Sequence, residues 1–137
     1  MYTAETKVRV RYAETDQMGY VYYGNYATFY EVGRVELFRS LGFSYRALEE
    51  SGIMLPVTEL HSRFLRPATY DEEIIVRVHL REKPAVKIRF EYELFNVHGE
   101  LLNTGSTTLV FVDMKRNKPC LAPKAFLERL ETYFPSA

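Results

Sequence analysis

The 137-residue chain carries eighteen basic and eighteen acidic side chains, so it has no net field with which to recruit nucleic acid or an anionic membrane. Hydrophobic residues make up 47% and aromatics 15%, enough for a single domain over residues 1–137, and no run approaches the roughly 20 apolar residues of a membrane span. One cysteine, Cys120, precludes an internal disulfide, and the N-terminal residues lack the apolar stretch of a secretory signal, so the chain reads as cytoplasmic.

The first predicted element is a strand. Val8, Val10 and Tyr12 alternate with Lys7, Arg9 and Arg11, the period of a ribbon with one buried face. From Glu14 to Gly19, two carboxylates, a threonine and a glycine predict a turn, because these residues bond their own backbone or adopt unusual dihedrals. Gly24 then supplies a flexible joint, and Asn25 the side-chain oxygen that a helix N-terminus favours. Beyond it Tyr26, Phe29, Tyr30, Gly33, Leu37 and Leu41 form one apolar stripe at about 100° per residue, with Glu31, Glu36 and Arg39 elsewhere. Gly33 inside the stripe costs about 1 kcal/mol against alanine in helix propensity, which predicts that another backbone packs closely there. Gly42 stands where a C-terminal cap belongs.

From Ser44 to Ser51 the pattern predicts a short second helix ended by Gly52. Val57 to Leu65 is strand-like but mixed, as a bulged or edge strand would be. Pro67 with Tyr70, Asp71 and Glu72 marks a turn. Ile74, Val76, Val78 and Leu80 then share a face opposite Arg77, His79 and Arg81. The clearest alternation sets Val86, Ile88, Phe90, Tyr92 and Leu94 against Lys87, Arg89, Glu91 and Glu93. A turn from Asn96 to Glu100 leads into a long strand from Leu101 to Val112, a polar turn from Lys115 to Pro119, and an amphipathic helix from Pro123 to Phe134. A strand, a long helix and a meander of antiparallel strands predict an α+β domain whose sheet wraps the helix from Tyr26 to Leu41.

Asp16 falls in the turn next to the start of that helix, whose first amides have no intrahelical acceptor. Such amides, with the positive end of the helix dipole, can hold a developing oxyanion, and a carboxylate a few residues away can act as nucleophile or general base. Taken alone, an aspartate in a polar turn before a helix is more often a turn or cap residue than a catalytic one.

The run Glu14-Thr15-Asp16-Gln17-Met18-Gly19-Tyr20-Val21-Tyr22-Tyr23-Gly24-Asn25-Tyr26 resembles the signature of hotdog-fold acyl-CoA thioesterases related to 4-hydroxybenzoyl-CoA thioesterase. The similarity continues through Phe29-Tyr30-Glu31 and Arg34-x-Glu36, and more loosely through Phe64-Leu65-Arg66-Pro67-Ala68 and Val110-Phe111-Val112-Asp113. The resemblance implies a hotdog fold, an antiparallel sheet around a long central helix, and hydrolysis of an acyl-CoA to a free acid and CoA. It places catalysis on Asp16 and the oxyanion-binding backbone amide at Tyr23. Gly19, Val21, Gly24, Asn25, Tyr26 and Arg66 are the implied substrate-binding positions. Many members of the family carry histidine where this chain has Tyr23; a backbone donor tolerates that change. The family also implies a homodimer or homotetramer with active sites between subunits, and no cofactor, CoA being part of the substrate. An acyl carrier protein as the acyl donor, and a non-catalytic acyl-CoA binder, are the alternatives.

The remaining conspicuous residues carry less. His61, His79 and His98 lack the spacing of metal ligands and read as strand-face or surface histidines. Cys120 has no base nearby in sequence and reads as a buried bystander. There is no Gly-x-Ser-x-Gly elbow and no glycine-rich phosphate loop. Among Arg63, Arg66, Lys87, Arg89, Lys115, Arg116 and Lys118, one or two cations are expected at the CoA phosphates.

Overall fold

The structure, a computed structural model, describes residues 1–135. Its elements are β1 (Tyr2–Arg9), α1 (Tyr26–Ser40), α2 (Tyr45–Glu50), β2 (Ile53–Met54), β3 (Val57–Phe64), β4 (Glu73–Leu80), β5 (Lys87–Phe95), β6 (Leu101–Val110), β7 (Val112–Asp113), β8 (Lys118–Pro119) and α3 (Lys124–Leu130). Five strands form an antiparallel sheet in the order β1-β4-β5-β6-β3, and β2, β7 and β8 form a small second sheet. Only β4, β5 and β6 are a meander. The predicted meander fails at β3, which crosses to the far edge beside β6 and leaves β4 to pair with β1.

The helix stripe is buried as predicted: Tyr26, Phe29, Tyr30, Gly33, Leu37 and Leu41 all lie inside. Facing them, Ile74, Val76, Val78 and Leu80 of β4 and Ile88, Phe90, Tyr92 and Leu94 of β5 are sealed, which is what strict alternation in a one-sided sheet produces. Gly33 does mark a close approach, but from side chains rather than backbone. A Cβ added there would sit 2.7 Å from Cγ1 of Val76 and 2.7 Å from Cγ2 of Val78. Gly42 ends the helical region at φ +84°, a conformation natural to glycine.

Three further boundaries differ from the sequence reading. The first strand ends at Arg9, and Tyr12 is exposed at the start of a 3-10 turn, Tyr12–Glu14. The cause is Glu14, whose carboxylate reaches back to the backbone N–H of Arg11 and draws the chain out of the ladder. The long strand from Leu101 breaks after Val110, where the Phe111 side chain turns into the core beside Phe126. At the C-terminus α3 stops at Leu130 and tightens into a 3-10 turn, Glu131–Tyr133.

Candidate active site

The predicted turn exists, and it is organised by the aspartate. Asp16 Oδ1 accepts the backbone N–H of Met18 at 2.9 Å and of Tyr20 at 3.2 Å, while Gly19 closes the turn at φ +78°. The turn is pinned by bridges between Thr15 and Val21 and between Tyr20 and Thr69. One carboxylate oxygen therefore does the structural work of the loop. Oδ2 has no donor among the described residues.

The helix start differs from expectation at Asn25. Its backbone is already helical, φ −78° and ψ −13°, and its side chain caps nothing. The helical course begins two residues earlier, in a 3-10 turn, Tyr23–Asn25, that runs directly into α1. As the first two positions of that turn, Tyr23 and Gly24 have backbone N–H groups without an acceptor among the described residues, whereas Asn25 N–H bonds the Tyr22 carbonyl at 2.9 Å. The Asn25 side chain is instead a donor, its Nδ2 lying 2.9 Å from the Glu14 carbonyl. At Gly24 an added Cβ would come 2.7 Å from the Tyr22 ring, so the glycine lets that ring lie against the helix start.

A cleft of about 380 Å³ lies beside this junction, with Asp16, Tyr20, Val21, Tyr23, Tyr26, Phe64, Leu65, Arg66 and Pro67 in its wall. Five of the eight predicted site residues thus meet in one place: Asp16, Val21, Tyr23, Tyr26 and Arg66. Gly19 and Gly24 shape the backbone next to it. Asn25 lies outside that cleft, in a neighbouring open hollow whose wall it shares with Tyr12, Tyr22 and Asp16 itself. The cleft is aromatic on one side, where Phe64 packs edge-on against Tyr26, with ring centroids 5.1 Å apart, and near Tyr23 at 6.5 Å. Burial pushes the Tyr26 phenol above its ordinary pKa, so it stays neutral. Arg66 is ion-paired with Glu100 at 2.7 Å, and the Asn96 side chain together with Arg66 holds the Glu100 carboxyl below the usual carboxylate range. Asp16 and the Tyr23 side chain are exposed, so the cleft of one chain is open to solvent.

Tyr20, Phe64, Leu65 and Pro67 were not singled out as site residues by the sequence. The signal for Tyr20 is the family-like run from Glu14 to Tyr26, and that for Phe64, Leu65 and Pro67 is the loosely matched block from Phe64 to Ala68 that also holds Arg66. The other residues stay outside the cleft. His79 is buried between Glu93, 2.7 Å from its Nε2, and Thr3, 2.9 Å from its Nδ1. Cys120 is half-buried rather than buried, and partial burial and the Asp113 carboxylate push its thiol pKa up, away from the reactive thiolate.

Residues 10–130 match the family model of the thioesterase-like superfamily. The chain belongs to that superfamily. The Escherichia coli acyl-CoA thioester hydrolase YbgC is 30% identical over 88% of this chain and 90% of its own length. The Bacillus subtilis protein YneP is 36% identical over 92% of this chain and 91% of its own. Among solved structures, the DHNA-CoA thioesterase of Staphylococcus aureus superposes with a TM-score of 0.85 at 38% identity, covering 98% of this chain and 85% of that one. The sheet around α1 is therefore a hotdog fold, and this thioesterase is a thioester hydrolase. No helix among the described residues is long and apolar enough to cross a membrane.

Proposed function

We propose that this thioesterase hydrolyses an acyl-CoA to the free acid and CoA in the cleft beside the start of α1, with Asp16 as nucleophile or general base. The observation that carries the reading is that Asp16 and Tyr23 line one cleft, while the Tyr23 and Gly24 amides have no acceptor among the described residues. A thioester carbonyl placed between them would be polarised by the amides and the helix dipole. Attack by Asp16, or by a water whose proton Asp16 takes, would give a tetrahedral oxyanion held by the same donors. Its collapse breaks the C–S bond and releases the CoA thiolate, which takes a proton from solvent. In the nucleophilic route water then opens the acyl-Asp16 anhydride. Gly19 holds the loop, while Val21, Tyr26, Phe64 and the exposed tyrosines line the acyl end. Arg66 remains the cation nearest the cleft for the nucleotide phosphates, in competition with Glu100.

A second copy of the chain completes the site in this reading. β3 is an edge strand that leaves Leu60 and Phe64 exposed, and the cleft is open on the side of Phe64. Pairing two such edges would extend the sheet, cover these side chains and close the cleft, giving a dimer or a tetramer built from dimers. The balanced charge and single reduced cysteine fit a cytoplasmic enzyme.

The test is thiol release from a panel of acyl-CoA and acyl carrier protein thioesters. Asp16→Asn keeps an oxygen for the Met18 and Tyr20 amides and so keeps the loop, yet it removes the carboxylate. Turnover is expected to fall about 10²- to 10⁴-fold, the range of a lost acid–base group. Wild-type turnover by Asp16→Asn refutes this assignment, and activity confined to carrier-protein thioesters moves the substrate to that class.

A further inference from the structure

Glu14 and Asn25 have no part in the chemistry just described, yet through them the loop carrying Asp16 is joined to the start of α1. Glu14 is only 6% exposed. Its carboxylate is taken up by Arg11, whose backbone N–H donates to Oε1 at 2.8 Å and whose Nη2 donates to Oε2 at 3.3 Å. Its backbone carbonyl accepts two donors from beyond the turn: the Tyr22 N–H at 2.8 Å and the Asn25 Nδ2 at 2.9 Å. Asn25 N–H in turn bonds the Tyr22 carbonyl at 2.9 Å. These three bonds enclose the segment from Tyr22 to Asn25, and the peptide units inside the enclosure are those of Tyr23 and Gly24, the two whose amides have no acceptor among the described residues. Glu14 is two residues from Asp16. The Glu14 carbonyl is thus a fixed point shared by the carboxylate on one side and the oxyanion donors on the other.

We infer that Asn25 is a positioning residue: its side-chain amide, anchored on the Glu14 carbonyl, holds the Tyr23 and Gly24 amides in register with the Asp16 carboxylate and sets turnover without touching substrate. The inference rests on the function proposed above. It requires an N–H donor at the place of the asparagine Nδ2. A carboxylate there would face the carbonyl with no proton to give, and a methyl group would leave the carbonyl to Tyr22 alone. Glutamine would overreach by one bond. The carboxylate of Glu14 has a different task, holding Arg11, so changing its charge without its shape leaves the anchor in place.

The full-length chain carrying Asn25→Asp, Asn25→Ala, Glu14→Gln or Asp16→Asn is assayed on the acyl-CoA that the wild type turns over fastest. For both Asn25 variants kcat is expected to fall about 10- to 100-fold, the cost of misplacing reacting groups by up to about 1 Å. KM should stay within about threefold, because substrate contacts are intact. Glu14→Gln should keep kcat within about threefold of wild type, since the backbone carbonyl is unchanged. In Asn25→Asp the introduced carboxyl regains a proton as pH falls and can donate again, so its kcat relative to wild type should rise toward acid. Asn25→Ala should show no such recovery, and the Asn25→Asp profile decides the matter even if the alanine variant does not fold. A merely structural asparagine would lower the thermal midpoint and the folded fraction while leaving kcat per folded molecule unchanged, and that result overturns the inference. So does a raised KM at constant kcat, which would make Asn25 a substrate contact, or an equal loss in Glu14→Gln. Wild-type turnover by Asp16→Asn would instead remove the underlying function, whatever Asn25 does.

Discussion

β3 and β4 are each eight residues long and follow one another in the chain, yet they meet opposite fates. In β4 the apolar side chains of Ile74, Val76, Val78 and Leu80 are sealed under α1, which crosses β1 and β4. In β3 the side chains on the corresponding face, recognisable because Ser62 reaches the Tyr30 hydroxyl of α1 at 2.7 Å, include Leu60 and Phe64, which stay 46% and 51% exposed. Both strands carry β-formers, so propensity does not separate them. What separates them is cover: one half of the sheet is closed by the chain's own helix, and the other half offers its apolar face to the cleft and to whatever pairs with its edge. Burial on the closed half therefore reports folding, and exposure on the open half is what the proposed site and a second copy would use.

Substitutions on the closed half should have the largest effects on stability. Phe90 is fully buried, with ring centroids 6.0 Å from Phe38 and 6.4 Å from Tyr92. Phe90→Ala is expected to cost about 3 to 5 kcal/mol in chemical denaturation, and a loss below about 1 kcal/mol would show that this half is not closed at all. Gly33→Ala comes next. Its methyl would meet Val76 and Val78 at 2.7 Å, an overpacking cost of about 1 to 3 kcal/mol, against which helix propensity returns about 1 kcal/mol. The net expectation is a loss of up to about 2 kcal/mol; a stabilised variant would mean that α1 can lift from β4 without penalty.

The same division decides what could be read from the chain alone. On the closed half, period and burial coincide, so the strand containing Ile88, Phe90, Tyr92 and Leu94 and the stripe of α1 were legible residue by residue. On the open half, alternation was blurred because both faces of β3 meet solvent, and no local pattern shows that it crosses to pair with β6. At the site, the turn residues and the family-like run located Asp16 and Tyr23. The donor role of Asn25 was not legible, because an asparagine before a helix is ordinarily an acceptor at the N-cap. Its acceptor, the Glu14 carbonyl, stands eleven residues earlier in the chain, a pairing that no local pattern announces.

The smallest effect on the folded chain is expected on the open half, and there it separates the two halves most sharply. Leu60 lies on β3 opposite Thr107, half-exposed, outside the wall of the Asp16 cleft. Leu60→Lys in an isolated chain replaces one exposed side chain by another and should change stability by no more than about 0.5 kcal/mol. If a second copy covers this face, the same substitution buries an ammonium without a partner. Self-association measured by sedimentation should then weaken at least about fivefold, the scale of a 1 kcal/mol loss at an interface. Because the cleft is open on the β3 side, activity per chain should fall in step with dissociation and return at high protein concentration. A variant that associates and turns over like wild type would show that the open half of the sheet faces water in the working enzyme, and that its exposure has a cause other than a second copy.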